Sequence, residues 1–196
     1  SNANIVHEFY VTKAKEKYMA LKRIVDFHPD IFAIVFARTK LETQEIAEQL
    51  IRDGYNADSL HGDLTQQQRD KVMGRFRERS LQLLIATDVA ARGIDVNDIT
   101  HVINYELPDD PEVYTHRSGR TARAGKSGIC MSIVSPKQIS NIRQIERLVK
   151  QKFHKSDIPD GAEVVRKRLF FYLEQIANAA PQADFAKLYR DTIHEQ

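Results

Sequence analysis

The chain has 196 residues, enough for one core-bearing domain with room for an appendage. Apolar residues make up 42% and come in separated runs, which excludes disorder throughout, and no run approaches the ~20 apolar residues of a membrane span. The 29 basic residues nearly offset 27 acidic ones, so a net charge of +2 neither demands nor excludes a nucleic-acid partner. Ser1-Asn2-Ala3 reads as a tag remnant, with the native sequence expected from Asn4 and no signal peptide in view. Val6 to Thr12 reads as a strand, and Lys15 to Phe27, with Tyr18, Leu21, Ile24 and Val25 on one stripe, as a helix. The apolar run Phe32 to Phe36 predicts a strand buried on both faces. Leu41 to Ile51 predicts an amphipathic helix that ends near Gly54. Ala57 to His61 is a short strand, and Thr65 with Gln68 has the spacing of a capping box at a helix start. Further strands are expected at Leu81 to Ala86, Val102 to Tyr105 and Gly128 to Val134, with a turn at Pro108 to Pro111 before a short helix. The one cysteine, Cys130, lies inside the last of these runs and reads as a small buried hydrophobe.

Beyond about Lys137 the pattern becomes helical, with no strand signal. Ile139, Ile142, Ile145, Leu148 and Val149 mark one helix, Val164 to Ile176 a second, and Phe185 to Tyr189 a short last one. Phe170 and Phe171 are expected to pack into a core. Strands alternating with helices predict an α/β sandwich with a mostly parallel sheet at 4–136, followed by a helical extension at 137–196.

Ligands of open α/β sheets sit outside the carboxyl ends of the strands, and three polar segments fall there. They are Phe36-Ala37-Arg38-Thr39-Lys40, then Ala86 to Asp95, then His116 to Gly125. Arg117, Arg120 and Arg123 are spaced by three, so a helical stretch would put them on one face, where an anion such as a triphosphate would relieve their repulsion. A solvated basic helix end is the alternative. Gly125-Lys126-Ser127 imitates the end of a phosphate-binding loop, but the leading glycine would fall at Arg120 and the segment runs into a strand. The histidines have no metal-ligand spacing with Cys130, and no metal site is expected.

These segments, with Leu60-His61-Gly62-Asp63-Leu64, Gln66 and Arg69 between them, occur in the order and spacing of the DEAD-box RNA helicases. Over Val6 to Val134 the chain resembles their C-terminal RecA-like domain, and the tail more loosely resembles that of the cold-shock-type branch. The resemblance implies that Arg120 and Arg123 are arginine fingers for ATP and that Arg117 locks the domains together. It implies that Gly93 and Asp95 lie on the ribose side, and that His116 and Phe36 couple nucleotide to RNA. Arg38, Thr39, Gly62, Gln66, Arg69 and Thr87 would line the RNA backbone. ATP and Mg2+ would be held mainly by an N-terminal RecA-like domain in the same chain, and this piece alone would be inactive. The implied partners are single-stranded or short duplex RNA, read with little sequence preference, and a second copy of the chain through the helical tail. The implied setting is the cytoplasm, with no membrane. Where the family has glycine, this chain has Ala122, which suits a helix and adds only a methyl. A standalone RNA-binding or docking module, and a DNA-directed relative, remain as other readings.

Overall fold

A computed structural model describes residues 4–123 and 126–179, which form two compact units. The first takes in the chain up to Lys22 and Asp30–Ile158. It is built on one parallel sheet of seven strands in the order β3-β4-β2-β5-β6-β1-β7. The strands are β1 (Ile5–Val11), β2 (Ala33–Phe36), β3 (Ala57–Leu60), β4 (Leu83–Ala86), β5 (His101–Asn104), β6 (Gly128–Val134) and β7 (His154–Ser156). The connecting helices are α1 (Lys17–Phe27), α2 (Lys40–Arg52), α3 (Gln66–Arg77), α4 (Pro111–Ser118) and α5 (Ile139–Val149). This is the α/β architecture expected from the alternation of strands and helices, in the RecA-like form that the family resemblance implied.

The apolar runs explain the centre of the sheet. Every residue of β2, β4 and β5 is buried, as a parallel sheet covered on both faces requires. Capping then sets the helix starts. Thr39 accepts from the Glu42 N–H at the start of α2. At α3, Thr65 and Gln68 bond reciprocally, the capping box that their spacing suggested.

The seventh strand corrects the reading of the tail as free of strand. His154–Ser156 pairs in parallel with Glu8, Phe9 and Tyr10 of β1. Three polar, largely exposed residues show no hydrophobic alternation, so their pairing rests on the backbone and on Phe153 just before them. Phe153 is buried and stacks on the His7 ring at 4.7 Å. The first unit runs to Ile158.

His7 is itself buried, and Nδ1 lies 2.8 Å from the Tyr114 hydroxyl. Burial lowers its pKa from 6.5 to about 4, against a smaller opposing effect of a hydrogen bond with Gln151. The unfolded chain therefore binds a proton that the folded chain refuses between these two values, and stability falls as pH drops through that window. We expect His7 to remove about 3 kcal/mol between pH 7.5 and 4. Urea titrations of the parent and His7→Gln over that range should show a steeper acid loss in the parent. Parallel curves would contradict this.

The second unit takes in Arg23–Pro29 and the chain from Pro159 onward. Its helix α6 (Gly161–Ala179) starts at Asp160, whose carboxylate accepts from the Glu163 N–H at 2.8 Å. Lys167 sits 5.6 Å from the centre of the Phe27 ring, and Arg168 pairs with Asp26 at 3.7 Å. Phe170 does not enter a core; it is exposed, along with Val165, Leu169, Tyr172, Leu173 and Ile176. The short helix expected at Phe185 to Tyr189 lies outside the described residues.

Candidate functional site

Parallel register brings the strand ends to one level. Leu60 of β3 lies beside Ala86 of β4, Ala86 beside Phe36 of β2, Phe36 beside Asn104 of β5, and Asn104 beside Ser132 of β6. The loops that leave these ends carry Gly62, Thr87, Arg38 and Thr39, so the sheet gathers residues far apart in sequence along one edge. Thr39 is spent in part on capping α2, while Arg38 makes a two-pronged pair with Asp109 at 3.0 and 3.1 Å. Gln66 opens α3 and bonds Asp70 at 2.7 Å. Arg69, one turn later, donates to the Ala90 carbonyl at 2.7 Å and ties α3 to the loop after β4. In that loop Thr87 accepts from the Ala90 N–H at 3.3 Å.

The arginine triplet departs from the expected single helix face. α4 ends at Ser118, with Gly119 as its cap, so only Arg117 is helical. Nor are the charges left for an outside anion alone. Arg117 is 4% exposed, and its Nε and Nη2 donate to the two Asp88 carboxylate oxygens at 2.7 and 2.8 Å. Its Nη1 donates to Asn104 Oδ1 at 2.9 Å and to the Glu106 carbonyl at 2.6 Å. The guanidinium also lies 4.8 Å from the centre of the Phe36 ring. Arg117 thus pins α4 to the ends of three strands. Asp88 falls within the polar segment Ala86 to Asp95, whereas Asn104 and Glu106 lie outside all three segments. The signal for Asn104 was an amide inside the buried run Val102-Ile103-Asn104.

Beside this cluster lies a pocket of about 110 Å³ whose lining includes Phe36, Asp88, Arg92, His116, Arg117 and Arg120. His116 is exposed at its rim. Arg120 donates to the Ile94 carbonyl at 3.0 Å. Partial burial first, and Arg123 second, push its guanidinium below the usual arginine range, with Asp95 acting the other way. An anion in the pocket would relieve both effects. Arg123 reaches Asp95 at 2.8 Å, and Asp95 is 89% exposed at its side chain. Gly93 has φ of 73°, the left-handed conformation that turns the chain toward Asp95.

Ala122 is in that conformation too, with φ of 57°, so it is not the helical alanine the sequence suggested. A side chain there costs roughly 1–2 kcal/mol of backbone strain. Its buried methyl returns about 0.8 kcal/mol. Strain wins narrowly, and Ala122→Gly should raise stability by up to about 1 kcal/mol. A loss of that size in a urea titration would show that the methyl decides. Ala124 and Gly125 lie outside the described residues.

Residues 16–125 match the helicase conserved C-terminal domain. The chain belongs to that family. Its form is that of the DEAD-box proteins. A DEAD-box ATP-dependent RNA helicase CshA from Bacillus cereus is 41% identical over 182 residues, covering 92% of this chain and 35% of that protein. The chain thus spans about a third of that relative's length. The solved DEAD-box protein of Methanococcus jannaschii is 44% identical, with a TM-score of 0.73 over 79% of this chain and 42% of that one. S. cerevisiae Dbp5, bound to RNA and ADP BeF3, is 30% identical, with a TM-score of 0.74 over 84% of this chain and 44% of that one. No described helix of this helicase domain is long and apolar enough to cross a membrane.

Proposed function

We propose that this helicase domain is the C-terminal half of an ATP-dependent RNA helicase, acting in the cytoplasm with an N-terminal RecA-like domain of the same chain. The observation that carries the reading is the Arg120 pocket, set beside strand-end loops that carry Arg38, Thr39, Gly62 and Thr87. An N-terminal domain would hold most of the ATP and its Mg2+. Here Arg120 and Arg123 would meet the terminal phosphates, with Gly93 and Asp95 on the ribose side. Guanidinium forks suit phosphate oxygens. Arg123 must first exchange Asp95 for phosphate, and an exposed ion pair of about 0–1 kcal/mol makes that exchange cheap. Arg117 has the opposite design: four hydrogen bonds fix it as a part of the wall. Phe36 beneath it and His116 at the rim join this wall to the RNA side.

RNA would run along the ends of β2, β3 and β4, against the first turns of α2 and α3, where helix amides favour phosphate. Thr39, Gln66, Arg69, Gly62, Arg38 and Thr87 all lie on that path. Contacts of this kind read backbone and give little base specificity. In line with this reading, the similar Dbp5 structure is bound to RNA and ADP BeF3. Bending of the bound strand would open a short duplex, and hydrolysis would release it.

The test is ATP hydrolysis by the full-length protein with and without single-stranded oligonucleotides. RNA should stimulate turnover, and DNA of the same sequence should do so weakly. Turnover indifferent to RNA, or equal stimulation by DNA, would overturn the reading.

A further inference from the structure

Asn104 is completely buried at the end of β5, and both ends of its amide are engaged. Nδ2 donates to Ser132 Oγ at 3.2 Å and to the Met131 carbonyl at 3.3 Å, and it lies 3.6 Å from Cys130 Sγ. Oδ1 accepts from Arg117 Nη1 at 2.9 Å. With its nitrogen committed to acceptors of β6, the amide has only oxygen to offer the guanidinium. A flipped amide would set an NH2 group against an N–H and face the Met131 carbonyl with a second oxygen. The sheet therefore fixes which atom Arg117 meets.

A buried polar group costs stability unless all its partners are present, and a leucine would fill this position of an all-buried strand without that demand. What Asn104 does in return is supply a rigid reference. The other side-chain partner of Arg117, Asp88, stands in a loop with its side chain 41% exposed. Asn104 is held inside the sheet, between Phe36 and Ser132 in register. The anchoring continues: the Tyr114 hydroxyl lies 2.8 Å from His7 Nδ1 and senses Cys130 and Ser132 of β6. Tyr114 and Arg117 are three residues apart in α4, so the same buried polar group grips the helix at two points on one side.

We propose that Asn104 is a positioning residue: it sets the plane of the Arg117 guanidinium over Phe36 and so shapes the pocket into which Arg120 projects. Its consequence for catalysis rests on the helicase reading above; the geometric part does not.

Two measurements separate these parts. In 15N-labelled protein the Arg117 Nε–H resonance reports the guanidinium directly. Asn104→Leu should shift it and speed its exchange with solvent, while Asn104→Asp, which keeps an oxygen toward Arg117, should keep that exchange slow. In the full-length protein Asn104→Leu should lower kcat for RNA-stimulated ATP hydrolysis by roughly tenfold or more with KM for ATP little changed. Asn104→Asp should keep kcat near the parent value even though its loss of the donor to Met131 lowers the melting temperature. Turnover would then follow the acceptor and not stability. Ser132→Ala, which removes one anchor of the amide, gives the same two readouts at smaller amplitude if Asn104→Leu does not fold. An unmoved Arg117 resonance, parental kcat in Asn104→Leu, or equal losses in the Leu and Asp variants would overturn the proposal. If instead the parent's turnover is indifferent to RNA, the helicase reading fails while the resonance still decides the geometry.

Discussion

Arg120→Ala is expected to lower RNA-stimulated ATP turnover of the full-length protein by roughly 10³–10⁵-fold, the range over which an arginine finger acts. The size follows from where charge develops. A guanidinium delivered to the transferring phosphoryl group is stronger in the transition state than in the ground state, so its removal falls on kcat. The fold should not suffer, because among the described residues Arg120 hydrogen-bonds to the Ile94 carbonyl, and it is not part of the buried core. Arg120→Lys keeps the charge but loses the fork, and it should recover only a small part of the rate. Circular dichroism and a thermal melt on the same samples separate catalysis from folding. Turnover within about tenfold of the parent would remove Arg120 from the phosphate site.

Asp88→Ala should have the second large effect, on stability first and activity second. Arg117 stays charged and nearly buried, and it loses both of its carboxylate hydrogen bonds. Breaking a fully buried pair costs about 3–5 kcal/mol. Here water reaches the Asp88 side, and the loss should be nearer about 2–3 kcal/mol, or a drop in melting temperature of roughly 4–12 °C. Asp88→Asn retains one acceptor and should fall between the two. A loss below about 1 kcal/mol in Asp88→Ala would mean that Asn104 and Glu106 hold Arg117 unaided.

The parts of the fold that were legible in sequence are those where one local rule acts alone. Ala33–Phe36 and Leu83–Ala86 are apolar at every position, and a short run of that kind suits a doubly covered strand. Thr65 and Gln68 cap each other across three residues, so no distant partner is needed. Where a partner comes from elsewhere in the chain, the signal vanished. β7 is polar and exists because β1 offers it a backbone edge and His7 a ring to stack on. Spacing grouped Arg117 with Arg120 and Arg123, but it could not show that Asp88 and Asn104, 29 and 13 residues away, claim the first of them. Ala122 looked helical because alanine favours helices, whereas the turn after Gly119 puts it at positive φ. The strand-end position of Arg38, Thr39, Gly62 and Thr87 was readable, since it needs only that strands end where apolar runs end. Their contact with RNA rests on the proposal.

That proposal joins a phosphate pocket and an RNA track through Phe36, Arg117 and His116, so nucleotide and RNA must bind as one event. The affinity of the full-length protein for single-stranded RNA, measured with and without a non-hydrolysable ATP analogue, tests this directly. RNA should bind much more tightly with the analogue present, and Arg120→Ala should erase most of the difference. Equal affinity in both conditions would mark the domain as an RNA-binding module without nucleotide control and would contradict the coupling.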